Sequence, residues 1–114
     1  MTQEDIDRIT RLFNERAGYW TGLGYYGAAL YEQLAADSLL PPNFPPRVVA
    51  AILHVDPAAL GARRKRGAPP SFIRAAVNSV LYPRDSFCLF LRDRFVERRP
   101  ASAAREYTNV PFPT

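Results

Sequence analysis

Cysteine is almost missing from this 114-residue chain: Cys88 stands alone, so no disulfide can form within it. Histidine is equally scarce, with His54 the single example. A metal site built on several His, Cys or carboxylate groups at matched spacing is therefore absent, and neither a metal nor a cofactor is expected. Long apolar runs are missing too. The longest uncharged stretch, Ala17–Tyr31, is short and rich in Gly and Tyr, which excludes a membrane-spanning helix there. The first residues carry Glu4, Asp5 and Asp7, the reverse of a secretory leader, so a cytoplasmic location is expected. No glycine-rich phosphate loop and no serine nucleophile motif is visible, and no enzyme activity is expected.

Lysine is scarce as well. Fourteen of the fifteen basic residues are arginine, a side chain suited to planar contacts with phosphate or guanine. The charge is unevenly placed. Residues 1–40 carry three arginines against six acids, whereas residues 41–114 carry twelve basic residues against five acids. A segment that basic suits a polyanion, because each phosphate contact releases condensed counterions; a solvated basic face is the plain alternative.

What the chain has in abundance is proline, eleven residues grouped mainly at 41–46, 69–70 and 111–113. These divide it into an N-terminal helical extension (1–40), a central domain (41–99) and a C-terminal tail (100–114). In the extension, Thr2 caps a helix from Gln3 to about Ala17, with Ile6, Ile9, Leu12 and Phe13 on one face and Gly18 ending it. A second helix is expected over Thr21–Ser38, with Leu23, Tyr26, Leu30 and Leu34 buried and Gly27 allowing a close helix–helix approach. Tyr19, Trp20, Tyr25, Tyr26 and Tyr31 are expected to pack between the two helices; the other reading makes them a homodimer or partner surface.

Residues 40–46 read as a rigid extended connector. Pro46 then opens a short helix to Leu53, with Val48, Val49, Ile52 and Leu53 as its apolar face. His54-Val55-Asp56 is a tight turn, in which His54 reads as a local turn residue rather than a ligand. Asp56 and Pro57 start a second helix that Gly67 ends at Arg66. Two short helices joined by three residues make a helix-turn-helix. Ser71–Tyr82 reads as a β-hairpin around Asn78-Ser79, and a last helix runs from the Pro83–Asp85 region to about Arg98 with Phe87, Phe90, Leu91 and Phe95 facing inward. Cys88 reads as a small core residue on that helix. Asp85, Asp93 and Glu97 are expected to pair with neighbouring arginines at helical spacing. The fold class is thus mainly α with a small β-hairpin.

The stretch Val48-Val49-Ala50-Ala51-Ile52-Leu53-His54-Val55-Asp56-Pro57-Ala58-Ala59-Leu60, followed by Arg64-Lys65-Arg66-Gly67-Ala68-Pro69-Pro70-Ser71-Phe72-Ile73-Arg74 and by Val80–Phe87, resembles the MerR-like winged helix-turn-helix domains of phage and plasmid excisionases and AlpA-type regulators. Less than half the chain carries this resemblance. It implies that Pro57–Arg66 is a recognition helix for the major groove of double-stranded DNA and that Phe72–Tyr82 is a wing. Arg63, Arg64, Lys65 and Arg66 would then reach phosphate or base edges, and Arg74 and Asn78 would act from the wing. Ala58, Ala59, Gly61 and Ala62 give that helix few groups able to read bases, so backbone contact is favoured over sequence reading. The rival expectation is a protein-binding module that keeps the scaffold, recruits or inhibits a protein partner, and no longer reads DNA.

Overall fold

The computed structural model describes residues 2–95. The tail at 100–114, and the part of the last helix expected beyond Phe95, lie outside the described residues. Five helices and three short strands follow one another as α1 (Gln3–Gly22), α2 (Gly27–Ala35), β1 (Asn43–Phe44), α3 (Pro46–Leu53), α4 (Pro57–Arg66), β2 (Ile73–Ala76), β3 (Ser79–Pro83) and α5 (Arg84–Arg94). The fold is mainly helical with a small antiparallel sheet, in the strand order β1-β3-β2. No helix among the described residues is long and apolar enough to cross a membrane.

Helix α1 starts where its cap residues require. The Thr2 hydroxyl accepts from the Asp5 amide, and the Asp5 carboxylate accepts from the Thr2 amide, a reciprocal capping box. The helix does not stop at Gly18; it runs on to Gly22. A helical glycine costs only about 1 kcal/mol relative to alanine. Tertiary contacts offset that cost, because Trp20 packs against the core and donates its indole N–H to Asp37 at 2.8 Å. The second helix is correspondingly shorter than the sequence pattern suggests, starting at Gly27 and ending at Ala35. Of its expected stripe only Leu34 is fully buried; Leu30 is partly buried, while Leu23 and Tyr26 are exposed. Gly27 does permit a close approach. Its φ is +60°, and a Cβ there would lie 3.0 Å from the Phe95 ring. Phe95 itself is not an inward-facing core residue but sits half-exposed at the end of α5.

Residues 40–46 are more than a connector. Phe44 is fully buried and pairs with Tyr82, so β1 forms an edge of the sheet against β3. The rings of Phe13, Phe44 and Phe87 meet at centroid distances of 5.9–6.4 Å, which brings α1, β1 and α5 to one point. Such aromatic pairs contribute about 1 kcal/mol each beyond their area burial. The core is therefore continuous across residue 41, with Ile6, Ile9 and Phe13 buried alongside Val48, Val49, Leu60 and Tyr82.

Helices α3 and α4 fall where the sequence places them. Val48 and Val49 are buried and Ile52 and Leu53 partly so. His54 takes the left-handed conformation (φ 57°) that ends α3, and its side chain is exposed. The Asp56 carboxylate accepts from the Ala58 amide at 2.9 Å, and Gly67 (φ 70°) closes α4.

The ion pairs on α5 differ from those expected. Arg92 bonds Asp93 beside it and Glu32 across on α2, rather than a carboxylate one turn away. Asp85 instead accepts from the Ser86 amide, and Arg84 donates to the carbonyls of Ala35 and Leu40. Helices α2 and α5 are extensively packed, so Arg92 has a cross-helix partner in Glu32 beside its local one. Glu97 lies outside the described residues.

Asp37, the one charged residue buried in the core among the described residues, ties the N-terminal helices together. Its carboxylate accepts from Arg16 Nε at 2.6 Å, Trp20 Nε1 at 2.8 Å and the Leu39 amide at 3.0 Å. Burial by itself raises the carboxyl pKa, but these three hydrogen bonds and the Arg16 charge outweigh burial and hold it below 3.8. A depressed folded-state pKa stabilises the protein above the unfolded value, and that stabilisation fades as pH falls through the folded one. Asp37→Asn is accordingly expected to cost about 2–3 kcal/mol at neutral pH. Urea denaturation at a series of pH values checks this: the gap between wild type and variant should close as pH drops below 3.8. An equal gap at pH 7 and at acid pH would contradict it.

Candidate nucleic-acid interface

Three basic residues of the second half, Arg64, Lys65 and Arg74, meet where α4 faces the β2–β3 hairpin. Strands β2 and β3 pair Ile73 with Leu81 and Arg74 with Val80, and an irregularity between Arg74 and Ala76 leads into the turn at Val77-Asn78. Gly61, Arg64 and Lys65 of α4 and Arg74, Val77, Asn78 and Val80 of the hairpin line one open groove. Four of the six residues marked out in the sequence, Arg64, Lys65, Arg74 and Asn78, thus meet in space. Arg63 and Arg66 do not line it. Arg63 is partly buried and donates to the Pro69 carbonyl at 3.4 Å, whereas Arg66 is exposed at the last position of α4.

Helix periodicity explains why four consecutive basic residues divide this way. Leu60 is fully buried, and Arg64 lies one turn further along the same face. Its guanidinium therefore points at the protein and donates to the Tyr82 hydroxyl at 2.9 Å. Lys65 and Arg66 turn outward. The outward face of α4 otherwise consists of Pro57, Ala58, Ala59 and Ala62. None of these offers a hydrogen-bonding side chain to a base edge. Arg74 is exposed, with its guanidinium 5.9 Å from the centre of the Phe72 ring. Asn78 is exposed at the tip. The groove is thus a surface for charge and shape.

Tyr82, near the end of the hairpin, is fully buried, and the partly buried Phe72 ring lies 6.2 Å from it. The role of its hydroxyl as the acceptor for Arg64 was not legible in the sequence. A buried tyrosine needs a partner for its hydroxyl, but eighteen residues of separation hide which one.

The N-terminal aromatic residues split into two sets. Trp20 and Tyr31 pack against the core, and Tyr19–Trp20 and Trp20–Tyr25 form edge-to-face contacts at 5.1 and 5.6 Å. Tyr19 and Tyr26 are half or more exposed, which corrects the expectation that the whole cluster packs between two helices. Arg16 covers one side of the Tyr19 ring at 4.3 Å.

Cys88 is fully buried, and burial pushes its thiol up to about 12. The thiolate fraction at pH 8 is correspondingly tiny. A thiol reagent at pH 8 is expected to leave the native protein unlabelled and to modify it in denaturant. Rapid labelling of the native state, followed by intact mass, would show that Cys88 is accessible.

Comparison with protein-family models, with characterised proteins and with solved structures finds no match to this chain.

Proposed function

We propose that this protein binds double-stranded DNA through α4 and the β2–β3 hairpin, acting as a winged helix-turn-helix protein in the manner of an excisionase or a transcriptional regulator. The observation that carries the reading is the groove in which Lys65 and Arg64 of α4 face Arg74 and Asn78 of the hairpin. Helices α3 and α4, joined by His54-Val55-Asp56, support it as a helix-turn-helix, and the β2–β3 hairpin supports it as a wing. Three exposed cations, Lys65, Arg66 and Arg74, are the phosphate contacts. The alanines on the outward face of α4 make binding depend on backbone more than on sequence. The exposed Tyr19 and Tyr26 provide the surface for a homodimer, which would let two weak half-sites act together.

A second reading has one specific observation in its favour: the alanine face of α4 reads no base, so the scaffold would instead hold a protein partner with an acidic surface. Titrating short duplexes at several salt concentrations separates the two. The DNA reading expects log K to fall linearly with log salt, and Lys65→Ala, Arg66→Ala and Arg74→Ala each to lower the slope by about 0.9. Absence of duplex binding at low salt would sink it and leave the protein partner as the reading to pursue.

A further inference from the structure

Among the described elements, α4 makes close backbone contact chiefly with α3, and its extensive neighbours do not include the hairpin strands. The two walls of the basic groove are therefore joined mainly by side chains. Leu60 supplies non-directional burial, and Arg63 reaches the Pro69 carbonyl only at 3.4 Å. The one short directional tie from α4 to the sheet is the 2.9 Å bond from Arg64 Nη1 to the Tyr82 hydroxyl. Tyr82 is a fixed post for that bond. It is fully buried, it pairs with Phe44 of β1, and it lies on β3, the strand that also carries β2.

We propose that Arg64 is a positioning residue rather than a ligand contact. Its bond to Tyr82 sets the angle between α4 and the hairpin, and hence the spacing of Lys65 and Arg66 from Arg74 and Asn78. The Arg63–Arg66 run then divides its labour: Arg64 holds the groove at a set width, Arg63 leans on the Pro69 carbonyl, and Lys65 and Arg66 face the polyanion. The chemistry fits arginine better than lysine. A guanidinium with five donors in a rigid fork can satisfy the buried hydroxyl with one N–H and leave others facing the groove. This inference rests on the reading of the groove as a duplex-binding surface, but the Arg64–Tyr82 tie can be tested without a ligand.

The experiment uses the full chain with two single-site variants, Tyr82→Phe and Arg64→Lys. Tyr82→Phe deletes only the acceptor oxygen; Arg64→Lys keeps the charge and loses the planar fork. In the free protein, amide hydrogen exchange of the last turn of α4 and of the β2–β3 hairpin should speed up several-fold in both variants. Unchanged exchange in both would overturn the proposal whether or not the protein binds DNA. With duplex as the probe, both variants should bind roughly tenfold more weakly at fixed salt, the loss of one charge-assisted hydrogen bond. Their slopes of log K against log salt should match wild type, because no phosphate contact is removed. Arg74→Ala supplies the contrast, with a slope lower by about 0.9. Wild-type affinity in Arg64→Lys, or a reduced slope in Tyr82→Phe, would overturn the positioning role. If wild type itself binds no duplex while exchange responds as stated, the tie stands and the duplex reading fails.

Discussion

Burying the phenol of Tyr82 is the constraint on which the basic groove depends. The ring is fully inside the protein, and a buried hydroxyl without a partner costs on the order of 1–3 kcal/mol. Arg64 supplies that partner from α4. Because Tyr82 sits on the central strand β3, the same residue reaches β1 through Phe44, the loop before β2 through Phe72 and α4 through its hydroxyl. Each wall of the groove is referred to one side chain.

A second anchor organises the other half of the molecule. Asp37 gathers the side chains of Arg16 and Trp20 and the amide of Leu39, which fixes the end of α1 against the segment that follows α2. Arg84 continues this arrangement by donating to the carbonyls of Ala35 and Leu40 and, through its backbone, to Pro42. The N-terminal helices and the proline segment are thereby tied to the start of α5. Phe13, Phe44 and Phe87 fill the space between them. The acidic N-terminal part and the basic remainder, distinct in composition, therefore share one core.

Charge on this scaffold is arranged by helix phase. Consecutive residues on a helix point about 100° apart, so a run of four basic residues cannot all face a ligand. On α4 one position of the run is taken by the interior, one leans on the Pro69 carbonyl, and two face solvent. The hairpin adds Arg74 and Asn78 opposite them. The same logic acts on α1, where Arg16 turns inward to Asp37 while Arg8 remains on the surface beside Asp5.

By itself the sequence determined the elements whose signals are local. Asp56-Pro57 and Gly67 bound α4, Pro46 opens α3, Thr2 caps α1, and the polar Asn78-Ser79 pair between two β-forming runs makes the hairpin, because capping and turn chemistry act over a few residues. Only the tertiary structure decided what distant contacts control. Helix α1 passes Gly18 because Trp20 has a partner at Asp37, Phe44 becomes a strand residue because β3 lies beside it, and Tyr26 and Phe95 stay exposed although their spacing suggested a core. The division of labour within Arg63–Arg66 is of the same kind. Four adjacent basic residues look alike in a sequence, and the position of Tyr82 eighteen residues on makes Arg64 differ from its neighbours.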